Sequence, residues 1–214
     1  MTAQQLKNSI LQLAVQGKLV PQDPNDEPAS VLLEHIRAEK ERQIKEGKIK
    51  KDKPLPPISE DEIPFDAPEG WVWCRLGDLC EIITKGSSPK WQGVNYTNEN
   101  DNSILFITSE NVGTEEMLLD NKKFLQRHFN AIQPRSILKN NDILTNIVGA
   151  SIGRSCIFNL EINDCNINQA VAMIRLINLS LCRYIVKFLN TGTAYRLMLD
   201  NTVDTARADR KSVV

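Results

Sequence analysis

Two proline-rich stretches divide the chain into parts that one continuous helix or sheet cannot span. Val20–Pro28 contains three prolines and Lys53–Pro68 contains five. Proline lacks a backbone N–H donor and clashes with the preceding helical turn, so regular helix is excluded from both stretches. We therefore expect a turn at the first stretch, a linker at the second, and a separate folded body from Trp71 onwards.

Apolar residues at helical spacing predict two helices before the linker. Leu6, Ile10 and Leu13 lie on one side of the first, and Gly17 is the expected C-terminal cap. The second is expected to begin at Asp26 as N-cap and to stop at Gly47.

The end of the second helix and the residues after it are strongly basic. Residues 37–53 hold eight Lys or Arg and four acids, so their net charge is 8 − 4 = +4. Two interpretations are open. The cations form a solvated helix face with ion pairs at i,i+4 spacing, or the lysines after Gly47 contact phosphate groups.

The region after Trp71 alternates strand-like runs with turn signals and ends in helices. Strands are predicted at Trp71–Arg75, Cys80–Thr84, Ser103–Thr108, Ile143–Val148, Arg154–Phe158 and Ala170–Leu176, and helices at Leu179–Leu189 and Thr193–Leu199. The predicted fold class is α/β (α+β mixed), with a twisted, mostly antiparallel sheet and flanking helices preceded by an N-terminal helical arm.

The sequence lacks the motifs of several enzyme classes. There is no GxxxxGK[ST] phosphate loop, no strand followed by GxGxxG and no HExxH, and only two histidines are present. Five cysteines without a CxxC pair indicate reduced, mostly buried thiols rather than a zinc site. We therefore predict no catalytic residue, no metal site and no cofactor in this chain. Without an apolar run long enough to span a membrane or a signal peptide, we expect a cytoplasmic protein with no membrane partner.

Four polar segments at predicted strand ends carry side chains that can contact nucleic acid. Lys and Arg pair with phosphate or guanine, and Asn and Gln pair with adenine. A net charge of −1 argues against a protein that merely coats DNA. A chain with this net charge can still carry a local basic surface that contacts DNA. Asn-rich loops are also good turns in their own right. The candidate DNA-binding residues are Lys85, Ser87, Ser88, Lys90, Trp91, Gln92, Asn95, Tyr96, Ser109, Asn111, Asn146, Ser151, Arg154, Asn168 and Gln169.

Several segments together resemble the specificity (S) subunits of type I restriction–modification systems. Leu6–Pro21 looks like the helix end that precedes a target-recognition domain in that family, and Pro68–Asp78 looks like the opening of that domain. Asn141–Leu144, Gly149–Arg154 and Asn168–Val171 are similar to its later motifs. The resemblance implies a helical conserved region at 1–53, a Pro-rich linker at 54–70, a target-recognition domain at 71–204 and a tail at 205–214.

The resemblance also implies a non-catalytic, sequence-specific reader of one half of a bipartite double-stranded DNA site. Its helices would dock modification (methyltransferase) subunits, and the complex would include a motor-nuclease subunit. S-adenosylmethionine, ATP and Mg²⁺ would belong to those partners. A whole S subunit has two recognition domains, whereas this sequence shows one. Three interpretations are open: a fragment, a truncated product, or a half-subunit that forms a homodimer. The alternative function is a degenerate S fragment that binds the methyltransferase without reading DNA.

Overall fold

The computed structural model describes residues 1–51, 53–54, 56–162 and 164–200. The predicted tail at 205–214 and the last predicted residues of the domain, 201–204, lie outside the described residues. The helices are α1 (Ala3–Val15), α2 (Ala29–Lys45), α3 (Phe129–Ile132), α4 (Cys182–Leu189) and α5 (Gly192–Asp200). The strands are β1 (Cys80–Lys85), β2 (Tyr96–Thr97), β3 (Ser103–Ile107), β4 (Lys123–Gln126), β5 (Ile143–Asn146), β6 (Ser155–Ile157), β7 (Asn166–Ile167) and β8 (Val171–Leu176).

The strands form two four-stranded sheets. The first sheet has the order β1-β8-β5-β6 and is antiparallel throughout. The second has the order β2-β4-β3-β7 and is antiparallel except for the parallel pair β3–β7. The predicted mixed class with mostly antiparallel strands is confirmed, and the strands divide between two sheets rather than forming one.

Alternation along the strands arranges the molecule in layers. Ile143 and Ile174 face α2 and α4 on one side of the first sheet, whereas Leu144 and Met173 face the second sheet. On β3, Leu105 and Ile107 point into that same inter-sheet core. Ile104 and Phe106 of the same strand pack outward against Val94, Leu125 and Phe129. Successive strand residues face opposite sides of a sheet, so each central strand contributes to two cores.

The N-terminal helices pack on the body of the protein. Val15 of α1 is 2% exposed, and the amide Nε2 of Gln12 donates to Thr193 Oγ1 at 2.8 Å. Gly17 has φ +66°, and a Cβ there would lie 2.6 Å from Pro68 Cγ. The helix end and the Pro68 opening, which the resemblance singles out separately, therefore meet in space.

Most predicted elements are present, with three corrections. Trp71–Arg75 is not a strand, because Trp71 and Trp73 turn towards α4 and pack edge-on against Tyr184 and Phe188. The helix α2 begins at Ala29, so Pro28 rather than Asp26 is the N-cap residue. The C-cap residue of α1 is Gln16, and Gly17 follows it with a positive φ; α2 ends before Gly47 as predicted, with Glu46 as its C-cap.

Four cations of the basic segment are engaged within the protein. Arg42 pairs with Glu39 and Glu46, and Lys48 pairs with Glu46. The remaining two, Arg37 and Lys40, bond to Asp78 and to the carbonyl of Gly77, respectively. This pattern favours the solvated, internally paired helix face for the helical part of the segment.

A buried ion pair joins the two central strands of the first sheet. Arg175 Nε donates to Asp142 Oδ1 at 2.7 Å and Arg175 Nη2 donates to Asp142 Oδ2 at 2.6 Å. The two side chains are 14% and 1% exposed. The same carboxylate accepts from the Lys139 amide, and Arg175 also donates to the carbonyl of Ile137. All charges are thus paired in the low-dielectric interior, where losing one partner is costly.

Replacing Asp142 with Asn is expected to lower the free energy of unfolding by about 3–5 kcal/mol, since it leaves the Arg175 guanidinium buried without a counter-charge. Urea denaturation measures this change. Asp120→Asn, at an exposed position, is the matched control and is expected to change stability by less than about 0.5 kcal/mol. A loss below about 1 kcal/mol for Asp142→Asn would contradict the structural role of the pair.

The proline-rich linker is fastened to the body by Arg75. Its guanidinium donates to the carbonyls of Pro56 and Pro57 and to Glu62 Oε2 at 2.8 Å. The hydrogen bond from Arg75, with further bonds from Ser59, lowers the pKa of Glu62 from 4.5 to about 2. A depressed carboxyl pKa stabilises the folded linker above about pH 4.5, and this contribution is lost as the pH falls towards 2.

The substitution Glu62→Gln is expected to expose the linker at neutral pH, because Arg75 loses its anionic partner. Limited proteolysis at pH 7 should cut between residues 56 and 66 faster than in the unmodified chain, whereas Glu60→Gln should cut at the unmodified rate. In the unmodified chain, intrinsic-rate-corrected amide exchange of these residues should rise only below about pH 4.5. Identical cleavage of both variants would refute this role for Glu62.

Candidate nucleic-acid interface

One end of the first sheet collects most of the predicted polar segments. Its strands are antiparallel, so the last residue of β1 (Lys85) and the last of β5 (Asn146) lie beside the first residues of β6 and β8. Arg154 immediately precedes β6, and 168–170 immediately precede β8. We call this edge, formed by 85–88, 147–154 and 168–170, the loop end.

The second sheet adds a further polar segment to the loop end. The backbone N–H of Asn168 donates to the carbonyl of Ile107 at 3.0 Å, which brings the end of β3 alongside the residues before β8. Asn146 Nδ2 donates to the carbonyl of Ser109 at 3.0 Å. All four segments that the sequence predicts thus contribute residues to one region.

Gly86 allows the two sheets to approach each other at this point. A Cβ at Gly86 would lie 1.8 Å from the carbonyl oxygen of Ile167 and 2.6 Å from that of Asn168. Both contacts are with backbone, which cannot swing away as a side chain does. Only glycine therefore fits between β1 and the end of β7.

The β5–β6 hairpin is held by backbone and amide bonds. Gly149 and Gly153 have φ of +81° and +86°, which other residues adopt at a cost. Asn190, at the end of α4, accepts from the Ser155 amide at 3.1 Å and donates to the Ser155 carbonyl at 2.8 Å. This supporting role of Asn190 was missed in the sequence, since it lies in a helical pattern far along the chain.

Two of the predicted contact residues face inward. Asn111 is 1% exposed; its Oδ1 accepts from the Thr108 amide and its Nδ2 donates to the Leu118 carbonyl. Asn146 is not exposed at all, and its Nδ2 donates to Ser109 and Ser151. The expected surface position of these two side chains is corrected here, because both amides bond groups inside the protein.

The other predicted residues lie at the surface to different degrees. Gln92 Nε2 donates to Ser87 Oγ at 2.9 Å, and Asn168 Oδ1 accepts from the Ala170 amide at 3.0 Å. The half-buried ones are Ser87, Ser88, Gln92, Ser109, Ser151, Asn168 and Gln169. The exposed ones are Lys85, Lys90, Trp91, Asn95, Tyr96 and Arg154.

The aromatic part of the predicted set does not join the loop end. Tyr96 pairs with Leu125, which in turn pairs with Ile104, so Tyr96 lies level with the beginning of β3. The loop end adjoins the opposite end of that strand. Trp91, 77% exposed, belongs to a short 3-10 helix, Pro89–Gln92, that contacts α3.

The thiols lie away from solvent. Cys80, Cys156, Cys165 and Cys182 are buried and Cys74 is half-buried, which confirms the predicted burial. Burial raises the pKa of the Cys156 and Cys165 thiols to about 12, so both stay protonated at neutral pH. Within the described ranges, no group of three or more metal-ligating side chains is close enough to hold an ion, and no helix is long and apolar enough to cross a membrane.

Gly86→Ala is expected to destabilise the fold by about 1–3 kcal/mol, since the added methyl group must displace backbone. Thermal unfolding measures the loss. Gly93→Ala is the control: Gly93 has a positive φ, and a Cβ added there would have no atom within 4 Å. The control variant therefore introduces backbone strain but no steric clash. A smaller loss at Gly86 than at Gly93 would contradict the close approach of the two sheets.

Comparison with known proteins identifies relatives among curated sequences, although no family model matches the chain. It is 40% identical over 194 residues to the type I restriction enzyme EcoEI specificity subunit of Escherichia coli, an alignment that covers 87% of this chain and 32% of that subunit. Over 78 residues it is 72% identical to the EcoAI specificity subunit of E. coli, covering 36% of this chain and 13% of that one. The chain thus spans about one third of the length of the EcoEI subunit.

Two solved structures are also similar. The HsdS subunit from Thermoanaerobacter tengcongensis matches with a TM-score of 0.44 and 18% identity, over 86% of this chain and 43% of that one. A chain from a study of complex assembly and conformational transition of the type I R–M system matches with a TM-score of 0.47 and 20% identity. That match covers 97% of this chain and 44% of the other. Because both TM-scores are below 0.5, the relationship rests on sequence identity. That identity confirms the resemblance seen in the motifs: the chain is a relative of the type I restriction enzyme specificity subunits and corresponds to part of such a subunit.

Proposed function

We propose that this chain is a DNA-reading part of a type I restriction specificity subunit and that it recognises one half of a bipartite site. The observation that carries the proposal is the convergence of exposed cations and polar loops at the loop end. The similarity to named specificity subunits supports this proposal. The proposal assigns no catalytic role to the chain.

The dimensions of the loop end suit a DNA groove. Lys85 belongs to one outer strand of the first sheet and Arg154 adjoins the other outer strand. With neighbouring strands about 4.8 Å apart, the two positions are separated by roughly 14 Å across the sheet. The major groove is about 12 Å wide, so the two cations can reach the phosphates on either side while the half-buried amides of Asn168 and Gln169 lie between them.

The charge distribution favours a specific reader over a general DNA coat. The chain carries a net charge of −1, so its electrostatic attraction for DNA has to be local. Among the described residues, no ion pair holds Lys85, Lys90 or Arg154, and all three are exposed. These side chains can therefore pair with phosphate or guanine, since no ion pair within the described residues neutralises them.

The partners follow from the same proposal. The first helix exposes Leu6, Ile10 and Leu13, which are 49%, 44% and 43% accessible and share one helical face. An exposed apolar stripe of this kind is a docking surface for a modification subunit or for a second half-subunit. The modification and motor-nuclease subunits would supply S-adenosylmethionine, ATP and Mg²⁺ chemistry to the complex.

Replacing Lys85 and Arg154 together by Ala tests the DNA-reading role. The experiment measures binding of a duplex selected from a random library by the chain with its modification subunit. Loss of two phosphate contacts should reduce the slope of log K against log salt by about 2 and weaken binding at least about tenfold.

The matched control is the double variant Lys18→Ala and Lys139→Ala, which removes two exposed cations elsewhere and should leave the slope unchanged. If the loop-end variant keeps full affinity and slope while still binding the modification subunit, the chain is an interaction module and the DNA-reading proposal fails.

A further inference from the structure

A groove lies at the end of the first sheet opposite the loop end. It has a volume of about 370 Å³ and runs between α2 and α4. Leu79, just before β1, and Leu181, just after β8, contribute to its lining. It is therefore separated from the DNA-facing edge by the length of the strands, and a ligand here leaves that edge free.

The floor of the groove is apolar. Leu32 and Ile36 of α2 line it together with Leu181 and Ile185. At its edge, Tyr184 is 41% exposed although the rest of its ring packs against Trp71 at a centroid distance of 6.1 Å. Exposed apolar surface beside a concave floor is the usual signature of a site for another molecule.

The rim of the groove is acidic. Four exposed carboxylates line it: Asp23, Asp26, Glu27 and Glu69. No Lys or Arg is among the described residues that line it, and no ion pair neutralises any of the four within the described part of the chain. The rim therefore holds four uncompensated negative charges around an apolar floor, which favours a cationic, amphipathic occupant.

Internal bonds form the groove before any ligand arrives. Trp71 Nε1 donates to Gln22 Oε1 at 2.8 Å, which ties one wall to the turn that carries Asp23. The Ala29 amide donates to the carbonyl of Gly70 at 2.8 Å, which fixes the beginning of α2 beside Glu69. A preformed groove binds a ligand without paying the entropy of ordering its own walls.

We propose that this groove binds a basic amphipathic helix of a partner polypeptide. Apolar side chains at i, i+3, i+4 and i+7 would enter the floor between α2 and α4, and Lys or Arg on the flanks would pair with the rim carboxylates. The inference is independent of DNA reading, because it concerns the other end of the sheet.

The probe is a labelled 18-residue Leu/Lys peptide with leucines on one helical face, titrated against the full chain by fluorescence anisotropy. A peptide of the same composition in scrambled order has no apolar face and is expected to bind at least about tenfold more weakly. Tyr184→Ala, which removes apolar surface without changing charge, should also weaken the ordered peptide.

Neutralising the rim carboxylates distinguishes binding in this groove from nonspecific attraction of the peptide to acidic side chains elsewhere. The rim variant should weaken the ordered peptide about tenfold or more, since four ion pairs are lost together. The control variant has the same change in charge at exposed carboxylates elsewhere and should alter binding less than about twofold. The rim variant is Asp23→Asn, Asp26→Asn, Glu27→Gln and Glu69→Gln; the control is Glu34→Gln, Glu116→Gln, Asp120→Asn and Glu161→Gln.

Equal binding of the ordered and scrambled peptides, or equal weakening by both variants, would overturn the proposal. Sedimentation of the chain alone gives a further check. If the chain dimerises and only the rim variant abolishes the dimer, the groove holds a second copy of this chain and the proposed occupant is wrong. None of these outcomes affects the salt dependence of DNA binding, so failure here and failure of the DNA-reading role are distinguishable.

Discussion

The ion pair between Asp142 and Arg175 is the constraint on which the arrangement of the first sheet depends. Asp142 immediately precedes β5 and Arg175 lies in β8, so the pair joins the two central strands of the sheet. The carboxylate also fixes the backbone of Lys139, and the guanidinium fixes that of Ile137. With β5 and β8 joined here, the opposite ends of both strands are brought side by side at the loop end.

The structure separates two surfaces of different charge. The loop end presents Lys85 and Arg154, which suit a polyanion, whereas the far end of the same sheet presents the acidic rim around Asp26 and Glu69. A chain with a net charge of −1 can therefore carry both an anion-binding and a cation-binding surface. The strands between them keep the two surfaces apart, so both are able to act at once.

Much of the fold could be predicted from the sequence, because the long strands follow their own hydrophobic pattern. Alternation located β1, β3, β5, β6 and β8 within one or two residues. The two-residue strands β2 and β7 carry no such pattern, since their pairing depends on partners distant in sequence. Trp71–Arg75 has the alternating apolar pattern of a strand, but the pattern arises because its two tryptophans pack on α4 rather than on a sheet.

The site could be predicted in part for a related reason. Turn residues and cations marked the loops correctly, and strand order brought most of them together. An asparagine in a loop looks the same in sequence whether its amide faces solvent or backbone. Asn111 and Asn146 face inward, where the Nδ2 of Asn111 donates to the carbonyl of Leu118 and that of Asn146 to the carbonyl of Ser109. These carbonyls are brought near the two amides only by the folded arrangement of the chain.

The most direct test of DNA reading is hydroxyl-radical footprinting of the protein within its complex with the modification subunit and a selected duplex. We predict that the duplex protects side chains in 85–88, 149–154 and 168–169 while leaving the groove between α2 and α4 as reactive as before. Protection confined to the basic segment 37–53, or none beyond that caused by the modification subunit alone, would contradict it.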